Sequence, residues 1–137
     1  MATFTKFNAF VEHLAEGVHN LQTGALTIAL SNTAPTASTN AVLADITQIA
    51  YTNLSSRVVT VSSSSQTAGT YSLVCTDLVL TQSTTTSAAF RYVILYNDTP
   101  TSPADPLICY WDYGSSITLA PGETFTVDFG ANVLTLA

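Results

Sequence analysis

Apolar residues recur along the chain with two different periods. At the start, Phe4, Phe7, Val11, Leu14, Val18 and Leu21 stand three or four residues apart, the spacing of one face of an α-helix. This predicts an N-terminal α-helix within residues 1–22, capped by Thr3 or Thr5 and closed before Gly24. Lys6, Asn8, Glu12 and Glu16 occupy its polar side, so the apolar stripe must lie on the sheet of its own chain or on a neighbouring subunit. After Gly24 the period changes. ALTIALS at residues 25–31 reads as a strand that runs into an SNTAP loop, whereas residues 36–51, with Val42, Leu43, Ile46 and Ile49, fit either one short helix or an irregular packed segment. Residues 57–62 alternate as a strand does, and the serine run at 62–65 either continues it or forms an exposed turn.

Between residues 70 and 80 the alternation slips by one: Tyr71, Leu73 and Cys75 give way to Leu78 and Leu80. A β-bulge near Thr76 and Asp77 would restore one inward face. TQSTTTS at 81–87 reads as a turn or exposed loop, and Pro121-Gly122 suits the centre of a type II turn. In residues 124–129, Phe125, Val127 and Phe129 oppose Thr124, Thr126 and Asp128, the pattern of a half-buried strand, and residues 133–136 form a last strand. Short strands with turn signals between them predict an all-β fold, an antiparallel β-sandwich of jelly-roll type with one N-terminal helix, as a single domain over residues 1–137.

The most apolar stretch is FRYVILYNDTPTSPADPLICYWDYG, residues 90–114. In its first run Phe90, Tyr92, Ile94 and Tyr96 oppose Arg91, Val93 and Leu95; in its second, Leu107, Cys109, Trp111 and Tyr113 oppose Ile108, Tyr110 and Asp112. Both faces of both strands are apolar, and antiparallel sheets commonly wet one face. The expectation is that the N-terminal helix or another subunit covers the second face. The loop between the runs carries Asn97, Asp98, Thr99, Pro100, Pro103, Asp105 and Pro106, and it is the candidate protein-contact element together with Phe4 and Phe7.

Composition narrows the range of functions. Charged residues make up 9% of the chain, well below the roughly 25% of an average domain, and 23 Thr with 14 Ser supply the polarity instead. The net charge of −6 repels phosphate backbones and anionic membrane surfaces, so neither nucleic acid nor membrane is an expected partner. No apolar run approaches the roughly 20 residues of a membrane-spanning helix, and the N-terminus lacks the pattern of a secretory signal, so the chain is expected to be made and used without crossing a membrane. Cys75 and Cys109 lie in apolar runs and read as buried free thiols; a bridge between neighbouring strands stays open.

Chemistry is sparse. His13 and His19, six residues apart on the expected helix, point in different directions and read as surface or packing residues. Asp98, Asp105 and Asp112 with Asn97 offer oxygen ligands for Ca²⁺ but without a fixed ligand spacing, and no carboxylate pair, Gly-rich phosphate loop or nucleophile–histidine pattern stands out. No catalytic residue, metal or cofactor is therefore expected. Tyr96, Tyr110, Trp111 and Tyr113 read as core or protein interface before a sugar platform.

At these residues the chain resembles the decoration, or cement, proteins encoded with the head genes of tailed bacteriophages. The resemblance rests on KFNAFVEHLAEGVHNL, LTIALSNTAP, LADIT, the central stretch and GETFTVDF, and it spans nearly the whole length. It implies a non-enzymatic virion protein, made in the host cytoplasm, that sits as a dimer or trimer on the capsid exterior and bridges subunits of the major capsid protein. The alternative is a glycan- or receptor-binding jelly roll of a phage tail or similar particle.

Overall fold

The computed structural model describes residues 2–137. Strand β1 (Thr3–Lys6) leads into helix α1 (Asn8–Ala15), then β2 (Leu26–Ser31) and a 3-10 turn at Leu43–Asp45. The strands β3 (Val61–Thr67), β4 (Thr70–Cys75), β5 (Leu78–Thr81), β6 (Phe90–Asn97), β7 (Leu107–Ile117), β8 (Thr124–Val127) and β9 (Leu134–Leu136) follow. The fold is all-β with one α-helix, and the strands pair antiparallel throughout. One layer is the four-stranded sheet β1-β7-β6-β2; the other consists of β3-β4-β9 and β5-β8. These orders establish the antiparallel sandwich and do not by themselves specify its jelly-roll variety.

Two long, bent runs, with β3 paired alongside β4, make the second layer. Tyr71 pairs with Leu136 and, further along, Leu80 pairs with Phe125, so the β4–β5 run lies beside the β8–β9 run for its whole length. The phase slip at Thr76 and Asp77 is the bend between β4 and β5 rather than a β-bulge. Asp77 Oδ1 accepts the Phe129 backbone N–H at 2.9 Å there, and Phe129 stays on the inner face. Between the layers Leu26, Ile28, Leu30, Val93 and Leu95 meet Leu73, Leu80, Val127 and Phe129 in the main core. Burying side chains of this size contributes about 1.5–3 kcal/mol each before entropy is counted.

The helix is shorter than its periodicity predicts. Thr3 and Thr5 cap nothing; they belong to β1, where Phe4 faces Trp111 across the ladder. Phe7 takes the N-cap position without a side-chain cap. At the other end Gly17 adopts φ 76°, its N–H reaches Leu14 O at 3.2 Å, and the Val18 N–H reaches His13 O at 2.9 Å. This is a Schellman closure, which needs a residue that tolerates the left-handed conformation. The apolar residues beyond it, Val18 and Leu21, therefore belong to the following loop.

The central strands also depart from simple alternation. The register of β6 on β7 shifts between Leu95 and Tyr96 and again between Phe90 and Tyr92. The first bulge, beside Ile108, turns Leu107 and Tyr110 to one face and Cys109 and Trp111 to the other. Strand β7 continues through Gly114, at φ 98°, to Ile117. The second face of the four-stranded sheet, carrying Ala29, Ile94, Tyr96 and Leu107, is covered by Phe7, Leu43 and Ile46 of the same chain. Of the region expected to be helical, Phe7 supplies part of this cover, while Phe10 and Leu14 of α1 pack into the main core instead. Asp45 fixes the covering segment by accepting the N–H groups of Ala41 and Val42 at 2.8 and 3.1 Å. The serine run lies within β3, and its side chains are mostly exposed.

Candidate interaction surface

Residues 97–106 form a clamped loop. Its base is held by backbone bonds from Asn97 N to Pro106 O at 3.0 Å and from Asp98 N to Ala25 O at 2.9 Å. Leu43 N reaches Asp105 O at 2.9 Å and Leu107 N reaches Ala41 O at 3.0 Å. Thr99 Oγ1 accepts the Ala25 N–H at 2.8 Å. Asn97 is 1% exposed; its Oδ1 accepts the Thr99 N–H at 3.1 Å and its amide nitrogen lies 3.3 Å from His19 Nδ1. Gly24 makes room for it. A Cβ on Gly24 would stand 2.7 Å from Asn97 Nδ2 and 2.6 Å from Asn20 O, closer than any side chain tolerates.

The expected contact residues divide accordingly. Asp98 and Thr99 stand exposed, Pro100, Pro103 and Asp105 are half-buried, and Pro106 is buried. Asn97, Pro106 and Phe7, the last at 0% exposure, act inside the protein and offer no surface to a partner. Phe4, at 44% exposure, does. Burial and hydrogen bonding to the neighbouring Asp98 carboxyl push the Asp105 carboxyl above the usual range. The pair is an acidic point beside the clamped base of the loop, with the Asn97 side chain turned inward and away from it.

A second surface lies at the side of the sandwich, where β1 faces the β8–β9 run. A groove of about 680 Å³ there is lined by Phe4, Trp111, Tyr113, Phe125 and Phe129 among others. A neighbouring hollow of about 400 Å³ shares Phe4, Asn132 and Val133 with it and continues past Lys6 and Leu136. The aromatic rings hold one another edge-on: Phe4 and Phe129 each meet Trp111, with centroids 5.9 and 5.8 Å away, and Tyr113 meets Phe125 at 5.5 Å. Trp111 is thus half core and half groove wall. The alternation of Phe125, Val127 and Phe129 marks an inward face in the sequence, but nothing local shows that this face is left partly uncovered.

The histidines lie nearer to each other than a regular helix would place them, with ring centroids 6.2 Å apart, because the helix ends between them. Burial, and secondarily the charge of His13, lowers His19 to about 4, so its ring is neutral near pH 7. Cys75 and Cys109 are free, buried thiols; burial pushes Cys75 up to about 11 and Cys109 well above its usual value, which keeps both protonated and unreactive. Among the described residues no three His, Cys, Asp or Glu side chains gather as a metal site, and no helix is long and apolar enough to cross a membrane. No family model, curated protein or solved structure matches the chain.

Proposed function

We propose that this protein is a structural component of a phage virion, one that binds the outside of an assembled capsid and stabilises it by bridging major capsid protein subunits. The jelly-roll variety of sandwich, a dimer or trimer as the working unit, and a position on the capsid exterior reached from the host cytoplasm belong to the same proposal. It assigns no catalytic residue, cofactor, nucleic-acid contact or membrane contact. Beside the sequence resemblance, the observation that carries it is the clamped loop: residues 97–106 are fixed at both ends by two other segments of the chain and present Asp98 and Thr99 to solvent. A contact element ordered before binding loses little entropy when it docks, and many identical weak contacts on a symmetric shell add up. Purified protein added to preformed capsids that lack it is expected to co-sediment with them and raise the temperature at which they open. Capsids that neither bind it nor gain heat resistance would refute the proposal.

A glycan- or receptor-binding module is the second reading, and the observation in its favour is the groove in which Tyr113 stands 49% exposed beside Trp111. Binding of an oligosaccharide by the chain, with quenching of Trp111, would favour this reading over the first.

A further inference from the structure

The two sides of the sandwich are finished differently. On one side residues 57–59 add to the edge of β2: Ile28 N reaches Arg57 O at 2.9 Å, Val59 N reaches Leu26 O at 2.8 Å, and Thr27 bridges to Val58. The chain then crosses into β3 at the edge of the other layer. An extended segment thus seals that side. On the opposite side, among the described residues, β1 pairs only with β7, and β8 and β9 pair only with β5 and β4, so both layers end there in strand edges that no described residue pairs. Between these edges runs the aromatic groove with its continuation. Phe4, Tyr113 and Leu136, which line it, are among the few large apolar side chains left exposed.

We propose that this open seam receives an extended β-strand from a different protein, as residues 57–59 fill the opposite one. Unpaired strand edges are templates for strand addition, in which backbone bonds give affinity and alternate side chains give specificity. Charge selects the partner. Among the described residues, Asp128 is the only charged side chain lining the larger groove and Lys6 the only one lining the smaller. Among the described residues the single ion pair is Arg91–Asp112, at 2.8 Å, so neither Asp128 nor Lys6 is paired with another described side chain. The strand that fits is apolar at alternate positions and carries a Lys or Arg where it passes Asp128. A second copy of this chain is a poorer occupant, because it would bring another net charge of −6 against the first. The inference stands on the seam and does not depend on the capsid assignment.

Trp111 is the only tryptophan and lines the groove, so its emission reports occupancy. The test is a titration of the full chain with a synthetic peptide alternating valine and threonine, with lysine at both ends. The control is the same peptide with proline at every second position, which cannot pair as a strand. The strand peptide is expected to shift Trp111 emission saturably while the proline peptide does not. Asp128→Asn, which keeps an oxygen for the Gly130 N–H, is expected to weaken binding by about 2- to 5-fold, the effect of an exposed ion pair. Equal binding of both peptides, or no response at millimolar peptide, would overturn the proposal. So would the same emission shift on concentrating the chain alone, which assigns the seam to a second copy, or on adding an oligosaccharide that competes with the peptide, which assigns it to sugars.

Discussion

The clamped loop and the open seam are both surface features rich in residues that partners use, yet they are built in opposite ways. The loop at residues 97–106 is complete: its base is tied to Ala25, Ala41 and Leu43, and Asn97 fastens its first turn from within. The seam has aromatic walls and two strand edges without partners on their outer sides. A finished loop can dock as a rigid body, whereas an unfinished seam gains most by acquiring backbone bonds. The molecule thus offers one contact of preformed shape and one of unmet pairing.

The largest expected effect tests the first half of this contrast. Gly24→Ala places a Cβ against the Asn97 amide and Asn20 O and is expected to cost about 1–3 kcal/mol, as overpacking does. Phe4→Ala, at the wall of the seam, is expected to cost about 0.5–1 kcal/mol, since Phe4 is 44% exposed and gives up little beyond its edge-on contact with Trp111. Urea unfolding of the two variants measures both, and equal losses would erase the distinction.

A smaller effect comes from pH. His19 is lowered in the folded protein, to about 4, so the folded state favours the neutral ring. Its contribution is fully present above the unfolded value near 6.5 and is lost as pH falls from about 6.5 to 4. The expected loss is on the order of 1–2 kcal/mol, allowing for solvent near the ring. Protonation also makes Nδ1 a donor, which the Asn97 amide nitrogen facing it cannot accept, so the loss should be accompanied by loosening of the loop and not of the seam. The ring resonances of His19 and the stability curve, followed through the same pH range, test this; a His19 that titrates near 6.5 would contradict it.

Much of this architecture was legible in the sequence. Alternation in residues 124–129, the Pro121-Gly122 turn with Gly122 at φ 85°, and the β2 run all lie where their patterns place them. The all-β class followed from the succession of short strand patterns with turn signals between them. Other features were not legible, for definite reasons. Phe4 and Phe7 keep helical spacing with Val11, but Phe4 is held by pairing with Trp111, a residue more than a hundred positions away, and tertiary pairing outweighs a weak local preference. Gly17 followed by Val18 carried the signal for the early helix end. The cover over the second sheet face comes from Leu43 and Ile46 in a segment with no regular period, so apolar surplus on β6 and β7 looked like a missing partner. Asn97 and Pro106 were indistinguishable by residue type from their exposed loop neighbours, because burial of a loop polar group depends on what packs beneath it, here His19 and Gly24.

The most direct measurement is hydrogen exchange on the full chain alone at low concentration, read amide by amide. The amides of Asn97, Asp98 and Leu107 at the loop base, and those of Ile28 and Val59 at the sealed side, are expected to exchange slowly. The amides of β1, β8 and β9 that face away from β7, β5 and β4 are expected to exchange fast, and to slow only when a strand occupies the seam. Slow exchange along both edges of the seam in the isolated chain would show that it is already filled and would contradict the account.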